Sequence, residues 1–183
     1  DVKFPYEYLS DSRVFGIYKG SELVGGYAVV CNKPLRVLSS LSDSHAIKAL
    51  PSDVSEITGL WLQKHSRAKY SPYLWAHIFI TLMKDKNQHF VYAYSVKKEN
   101  LNKLYSSFPK KVLYRGHVEQ IEGMDSDDYE SIEMIAKKDI IFFPITNFEF
   151  LSKRYLKSMK SEFFPFIKQI KWRRADANKQ IKT

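Results

Sequence analysis

With 183 residues, 44% of them hydrophobic and 15% aromatic, the chain can build one globular domain with a full core. Its net charge of +9 is uneven: residues 148–183 hold ten basic and three acidic side chains, a net of +7, which leaves +2 for the first 147 residues. A single cysteine, Cys31, excludes an internal disulfide, no apolar run reaches membrane-spanning length, and no secretory leader is legible, so a reducing, cytoplasmic setting is expected.

In chain order, Val14–Tyr18 alternates and is aromatic-rich, Lys19-Gly20-Ser21-Glu22 is turn-forming, and Leu23–Cys31 is a second apolar run. That is a β-hairpin. Within it, Gly25-Gly26 marks a bulge or a close approach. Lys33-Pro34 breaks the second strand, and Leu35–Leu38 reads as a short extension of it. Ser39–Asp53 reads as a loop and a short helix stopped by Pro51. Glu56–Gln63 is the next predicted strand.

A helix is predicted over Pro72–Lys86, with Ser71 as its N-cap and Pro72 at its first position. Leu74, Trp75, Ile78, Phe79, Leu82 and Met83 fall on one face of it. Phe90–Val96 is a strongly apolar strand. Lys98–Phe108 is a helix with the stripe Leu101, Leu104, Tyr105 and Phe108, stopped by Pro109. Val112–Ile121 and Glu130–Ala136 are strands joined by the acidic turn Gly123–Asp128. That turn lacks the ligand spacing of a calcium loop. From Phe148 to Ile170 the apolar residues form one helical stripe with lysines elsewhere, and Pro165 should interrupt it. The reading is a domain over 1–147 followed by a basic amphipathic helical extension over 148–183, frayed in its last ten residues.

The junction from Ile57 to Trp75 carries the chemistry. A strand runs into a basic loop and then a helix start, which aims backbone N–H groups, the positive dipole end and Arg67 and Lys69 at one point. Such a point takes an anion, most often phosphate; an ordinary connection with solvated charges has the same local sequence. None of the five histidines pairs at metal-ligand spacing, so no metal is expected. There is no Walker or dinucleotide glycine pattern and no nucleophile elbow.

Hairpin, strand, phosphate-type loop, helix, strand, helix and two strands, in that order, resemble the GNAT superfamily of N-acyltransferases up to about Ile140. The resemblance implies an α/β (α+β) fold with a mixed, centrally splayed sheet and helices on both faces. Its splayed pair would be Glu56–Gln63 and Phe90–Val96. Acetyl-CoA or a longer acyl-CoA would lie between them, with its pyrophosphate on the loop and helix start. Of that superfamily's loop motif, Gln/Arg-x-x-Gly-x-Gly/Ala, the chain keeps Arg67, while Tyr70 and Pro72 stand at the glycine positions. The implied phosphate donors are the amides of Lys69, Tyr70, Ser71, Tyr73 and Leu74, with Arg67 and Lys69 as counter-charges. The backbone at Leu60 and Leu62 would meet the pantetheine arm and the thioester oxyanion.

The resemblance also implies roles for two side chains. Glu56 stands where many members place a carboxylate general base; the alternative is an exposed strand-end carboxylate. Tyr105, in Asn100-Leu101-Asn102-Lys103-Leu104-Tyr105, resembles the tyrosine that protonates the departing thiolate; the alternative is a core tyrosine. A narrower likeness, over Phe15–Ala28, Leu50-Pro51 and Glu56-Ile57-Thr58, is to acyl-homoserine-lactone and N-acyl amino acid synthases. Those enzymes take acyl chains from acyl carrier protein and commonly show Glu-Ile-Ser-Arg where this chain has Glu56-Ile57-Thr58-Gly59.

The acceptor implied is a small-molecule or peptide amine. Residues 148–183 suit acidic acyl carrier protein, nucleic acid or an anionic membrane face equally. They suit as well a helix packed on the domain with a solvated basic face. A GNAT-fold binding module without catalysis is the alternative to an enzyme, and the oligomeric state is not legible.

Overall fold

A computed structural model describes residues 12–31, 35–39, 50–118, 129–146 and 170–174. The hairpin comes first. β1 (Ser12–Lys19) and β2 (Glu22–Val30) pair antiparallel from Lys19↔Glu22 to Ser12↔Val30. Gly20 sits in the turn at φ 62°, where a side chain is disfavoured. A short helix, α1 (Arg36–Ser39), follows. It replaces the strand extension expected over Leu35–Leu38. Leu35, Arg36, Val37 and Leu38 are all buried, and a short run buried on every side has no periodicity to separate helix from strand.

β3 (Val54–Leu62) leads through a 3₁₀ turn (Lys64–Ser66) into α2 (Arg67–Lys84). Then come β4 (His89–Ser95), α3 (Glu99–Ser106), β5 (Lys111–His117), β6 (Tyr129–Ala136) and α4 (Lys137–Thr146). The run Ile140–Pro144 inside α4 shows no helical period, and no helix was expected there. The last described strand, β7 (Ile170–Arg174), pairs antiparallel with β1. This corrects the helical stripe expected to end on Ile170: the open edge of β1 supplies backbone partners that no local pattern announces. The rest of the expected basic extension lies outside the described residues, as do the acidic turn and the loop before Leu50.

The seven strands form one mixed sheet in the order β5-β6-β4-β3-β2-β1-β7. One core lies between the sheet and α2, α3 and α4. It buries Ile17, Val29, Leu74, Ile78, Leu82, Phe90 and Ile135. Each such apolar side chain contributes about 1.5–3 kcal/mol when removed from water. A second core on the opposite face joins Leu35, Val37 and Leu38 to Val30, Val54, Val91 and Ile132. Helices thus cover both faces. No described helix is long and apolar enough to cross a membrane.

Candidate active site in the splayed sheet

β3 and β4 are the sheet's parallel pair, and they stay together for three partners only: Val54↔His89, Ser55↔Phe90 and Glu56↔Val91. Beyond that point they follow different neighbours. β3 continues along β2 as far as Gly25↔Leu62, and β4 along β6 as far as Ser95↔Glu130. A slot opens between Ile57–Leu62 on one side and Tyr92–Ser95 on the other. This is the splay expected of Glu56–Gln63 and Phe90–Val96.

A bulge helps turn β3 away. Its register with β2 shifts between Gly26 and Ala28, where Gly59 takes φ 61°. Gly59 therefore occupies a left-handed position. Gly25-Gly26 serves close packing here: a Cβ on Gly25 would lie 2.4 Å from Leu62 Cδ2 and 2.9 Å from the Trp61 carbonyl. Gln63 N–H donates to the Val24 carbonyl at 3.0 Å. By strand alternation from Gln63, the backbone of Leu62 points away from β2, toward the slot, and Leu60 lies at the register shift before it. Their half-buried side chains pack on the helical face of the sheet, and Trp61 is exposed.

The mouth of the slot is basic, but it is built differently from the sequence expectation. α2 begins at Arg67, not Pro72, and Pro72 lies inside it. Ser71 is not a cap, and Ser66 at the cap position makes no side-chain capping bond. Tyr70 explains the shift: one turn before Leu74, it is 2% exposed in the core, so packing extends the helix upstream. Proline costs that helix one donor. The amides of Ser71, Tyr73 and Leu74 fall beyond the first turn and bond within the helix, which corrects their expected role as phosphate donors. Lys69 and Tyr70 remain in the first turn. Lys64, His65, Arg67 and Lys69 are exposed around the helix start. Arg67 Nε donates to the Leu62 carbonyl at 3.2 Å, tying the end of β3 to α2.

Glu56 stands at the vertex of the splay and is 1% exposed, so it is no solvated strand-end carboxylate. Its Oε2 accepts the Val37 N–H at 3.0 Å. Burial pushes its carboxyl above the usual range, against the hydrogen bonds from Val37 and Thr58 and the nearby Arg36 charge.

Tyr105 lies on the other face of the sheet. It is buried and stacked on Tyr94 (centroids 4.6 Å, planes 23° apart) and Tyr92 (5.1 Å, 26°). Burial first, then Tyr94 and Glu133, raise its phenol above the ordinary value. Glu56 and Tyr105 thus do not touch; they flank the slot from opposite faces.

Sequence reasoning missed Glu133, a second buried carboxylate; its β6 pattern offered only alternation. His77 bridges β2 and α2 structurally, its Nδ1 2.7 Å from the Tyr27 hydroxyl, and burial lowers its pKa. Tyr27, also bonded to Thr81, is pushed up by burial to about 12. Among the described residues no group of His, Cys, Asp or Glu is gathered to hold a metal.

No family model matches the sequence, and no curated protein matches it. Solved structures do. FeeM, an N-acyl amino acid synthase from uncultured soil microbes, aligns at a TM-score of 0.56 and 11% identity over 73% of this chain and 78% of its own. BjaI, a CoA-dependent acyl-homoserine lactone synthase solved with SAM and isopentyl-CoA, aligns at 0.51 and 14% over 74% and 64%. An N-acetyltransferase from Staphylococcus aureus Mu50 aligns at 0.50 and 12% over 72% of each chain. What these likenesses define is a fold, an α+β domain with a mixed, splayed sheet. The chain has the GNAT fold.

Proposed function

We propose that this protein is an N-acyltransferase that moves an acyl group from a thioester, of coenzyme A or acyl carrier protein, to the amine of a small molecule or peptide. The observation that carries this reading is the parting of β3 and β4 after three residue pairs, with a basic helix start at the mouth of the opening. Three of the protein folds it resembles act in acyl chemistry, which supports the same reading.

The thioester arm lies along the backbone of Leu60 and Leu62, and its phosphates meet Lys64, Arg67, Lys69 and the first turn of α2. The amine approaches from the α1 face. Its nitrogen attacks the thioester carbon, the C–S bond breaks, and an amide and a thiol result. Glu56 takes the proton the amine loses. Tyr105 gives a proton to the departing thiolate and recovers one from solvent. Strand N–H groups stabilise the oxyanion.

The test is thermal shift and thiol release with acetyl-CoA, a long-chain acyl-CoA and acylated carrier protein, against a panel of amines. Stabilisation by one donor class together with amine-dependent thiol release is expected. No stabilisation and no release with any donor overturns the proposal.

One observation favours a second reading, a GNAT-fold binding module. Glu56 is enclosed and already bonded to Val37, as a structural carboxylate would be. Donor binding that persists in Glu56→Gln and Tyr105→Phe, with no thiol release from the wild type, would select it.

A further inference from the structure

Glu133 on β6 is the second fully enclosed carboxylate, and the reaction above makes no use of it. It is 2% exposed. Tyr92 donates its hydroxyl to Oε2 at 2.9 Å, while Tyr94 and Ser131 donate theirs to Oε1 at 3.0 and 2.9 Å. Lys110 Nζ stands 3.2 Å from Oε2 and also donates to the Tyr105 carbonyl at 2.6 Å. Four side chains converge on this one carboxylate. Hydrogen bonding on that scale is what an ionised group needs in order to stay buried.

Two of those donors belong to the slot. Tyr92 and Tyr94 lie on the half of β4 that has parted from β3, and their rings form the bed on which Tyr105 stacks. Trp75 and Phe108 meet the Tyr105 ring edge-on at 6.1 and 5.8 Å. Glu133 therefore sets the direction of two phenols and, through them and Lys110, the seat of the third.

We propose that Glu133 is a positioning residue for the thiol side of the slot: by accepting from Tyr92 and Tyr94 and pairing with Lys110, it fixes the aromatic bed of Tyr105 and keeps Tyr105 as the phenol that faces the departing thiolate. This rests on the acyltransferase reading. The groups facing Tyr105 are Tyr92 and Tyr94 from β4, Glu133 from β6 and Lys110 from the link before β5; Trp75 and Phe108 carry no charge. The Glu133 charge adds to burial and Tyr94 in holding the Tyr105 proton in place.

Glu133→Gln tests it with two readouts. In alkaline ultraviolet titration, with Tyr105→Phe identifying the Tyr105 component, that component should move to lower pH. In steady-state assays kcat should fall about tenfold with donor KM within about twofold, and the alkaline limb should move with the phenol. A folded Glu133→Gln with wild-type kcat and an unmoved Tyr105 titration overturns the proposal. Should that variant not fold, Tyr94→Phe, which leaves the carboxylate in place, is expected to lower kcat about threefold at unchanged KM; unchanged kcat overturns the proposal. If the wild type transfers no acyl group at all, the titration still decides the link between Glu133 and Tyr105, and the acyltransferase reading falls by itself.

Discussion

Glu56 and Val91 are the last partners of the parallel ladder between β3 and β4. The carboxylate that the family resemblance marks as a candidate base therefore sits where the sheet divides. Ladder bonding holds its backbone on one side of the vertex, and on the other the two strands lie apart. A group so placed is rigid, water-poor and next to the opening.

Glu56→Gln should change the pH dependence of stability in a defined direction. Burial raises the folded-state pKa above the unfolded value, so the folded chain binds the extra proton. The stabilising contribution is complete below the unfolded pKa and is lost as pH rises through the raised folded one. Urea denaturation across pH should show the glutamine variant gaining on the wild type as pH rises through that window. Parallel stability curves would contradict this. In activity, the acid limb of kcat/KM should vanish and the rate fall about 10²-fold or more.

Arg67→Ala and Lys69→Ala should each raise the donor KM about three- to tenfold, in keeping with the loss of one exposed charge-assisted contact to phosphate. Salt should weaken wild-type binding more than variant binding. kcat should hold within about twofold, because the charges act at the mouth and not at the thioester. A fall in kcat at constant KM would place these residues elsewhere in the mechanism.

Gly25→Ala should destabilise the fold by about 1–3 kcal/mol, read from the urea midpoint, because the new methyl meets both Leu62 Cδ2 and the Trp61 carbonyl. Leu62→Ala on the same background should recover part of the loss, since only the side-chain clash is relieved. No recovery would assign the cost to the backbone contact alone.

Asp85→Ala should cost about 3–5 kcal/mol, because it strands the partly buried Arg13 that pairs with it. Asp85 also accepts the Asn87 N–H at 2.9 Å, and Asn87 in turn donates to Ser55 Oγ at 2.8 Å and the Val54 carbonyl at 3.1 Å. This knot closes the end of the sheet where β3 and β4 remain paired. Asp85→Asn, which keeps the shape, should cost less. Equal losses in the two variants would show that the charge itself matters little.

The first hairpin strand and the apolar face of α2 were legible because each is a local period, two for a half-buried strand and 3.6 for a helix, while the strands at Leu23 and Phe90 were legible as short apolar runs bounded by turn residues. The start of α2 was not. Ser71-Pro72 is a sound capping signal taken alone, and the burial of Tyr70 overrides it. α1 and α4 were missed because short apolar runs carry no period, and β7 because its partner is the edge of β1, some 150 residues earlier in the chain.

By itself the sequence determined the order of elements, the basic loop after the central strand, and Glu56 and Tyr105 as residues worth testing. The first two follow from residue chemistry and spacing along the chain; Glu56 and Tyr105 come from the resemblance that this order of elements carries. Only the tertiary structure decided where β3 leaves β4, that Glu56 is enclosed and not solvated, and that Glu133 gathers three hydroxyls beneath the Tyr105 ring. Those depend on which distant segments pair and on how far water is excluded, and neither is encoded in any one stretch of residues.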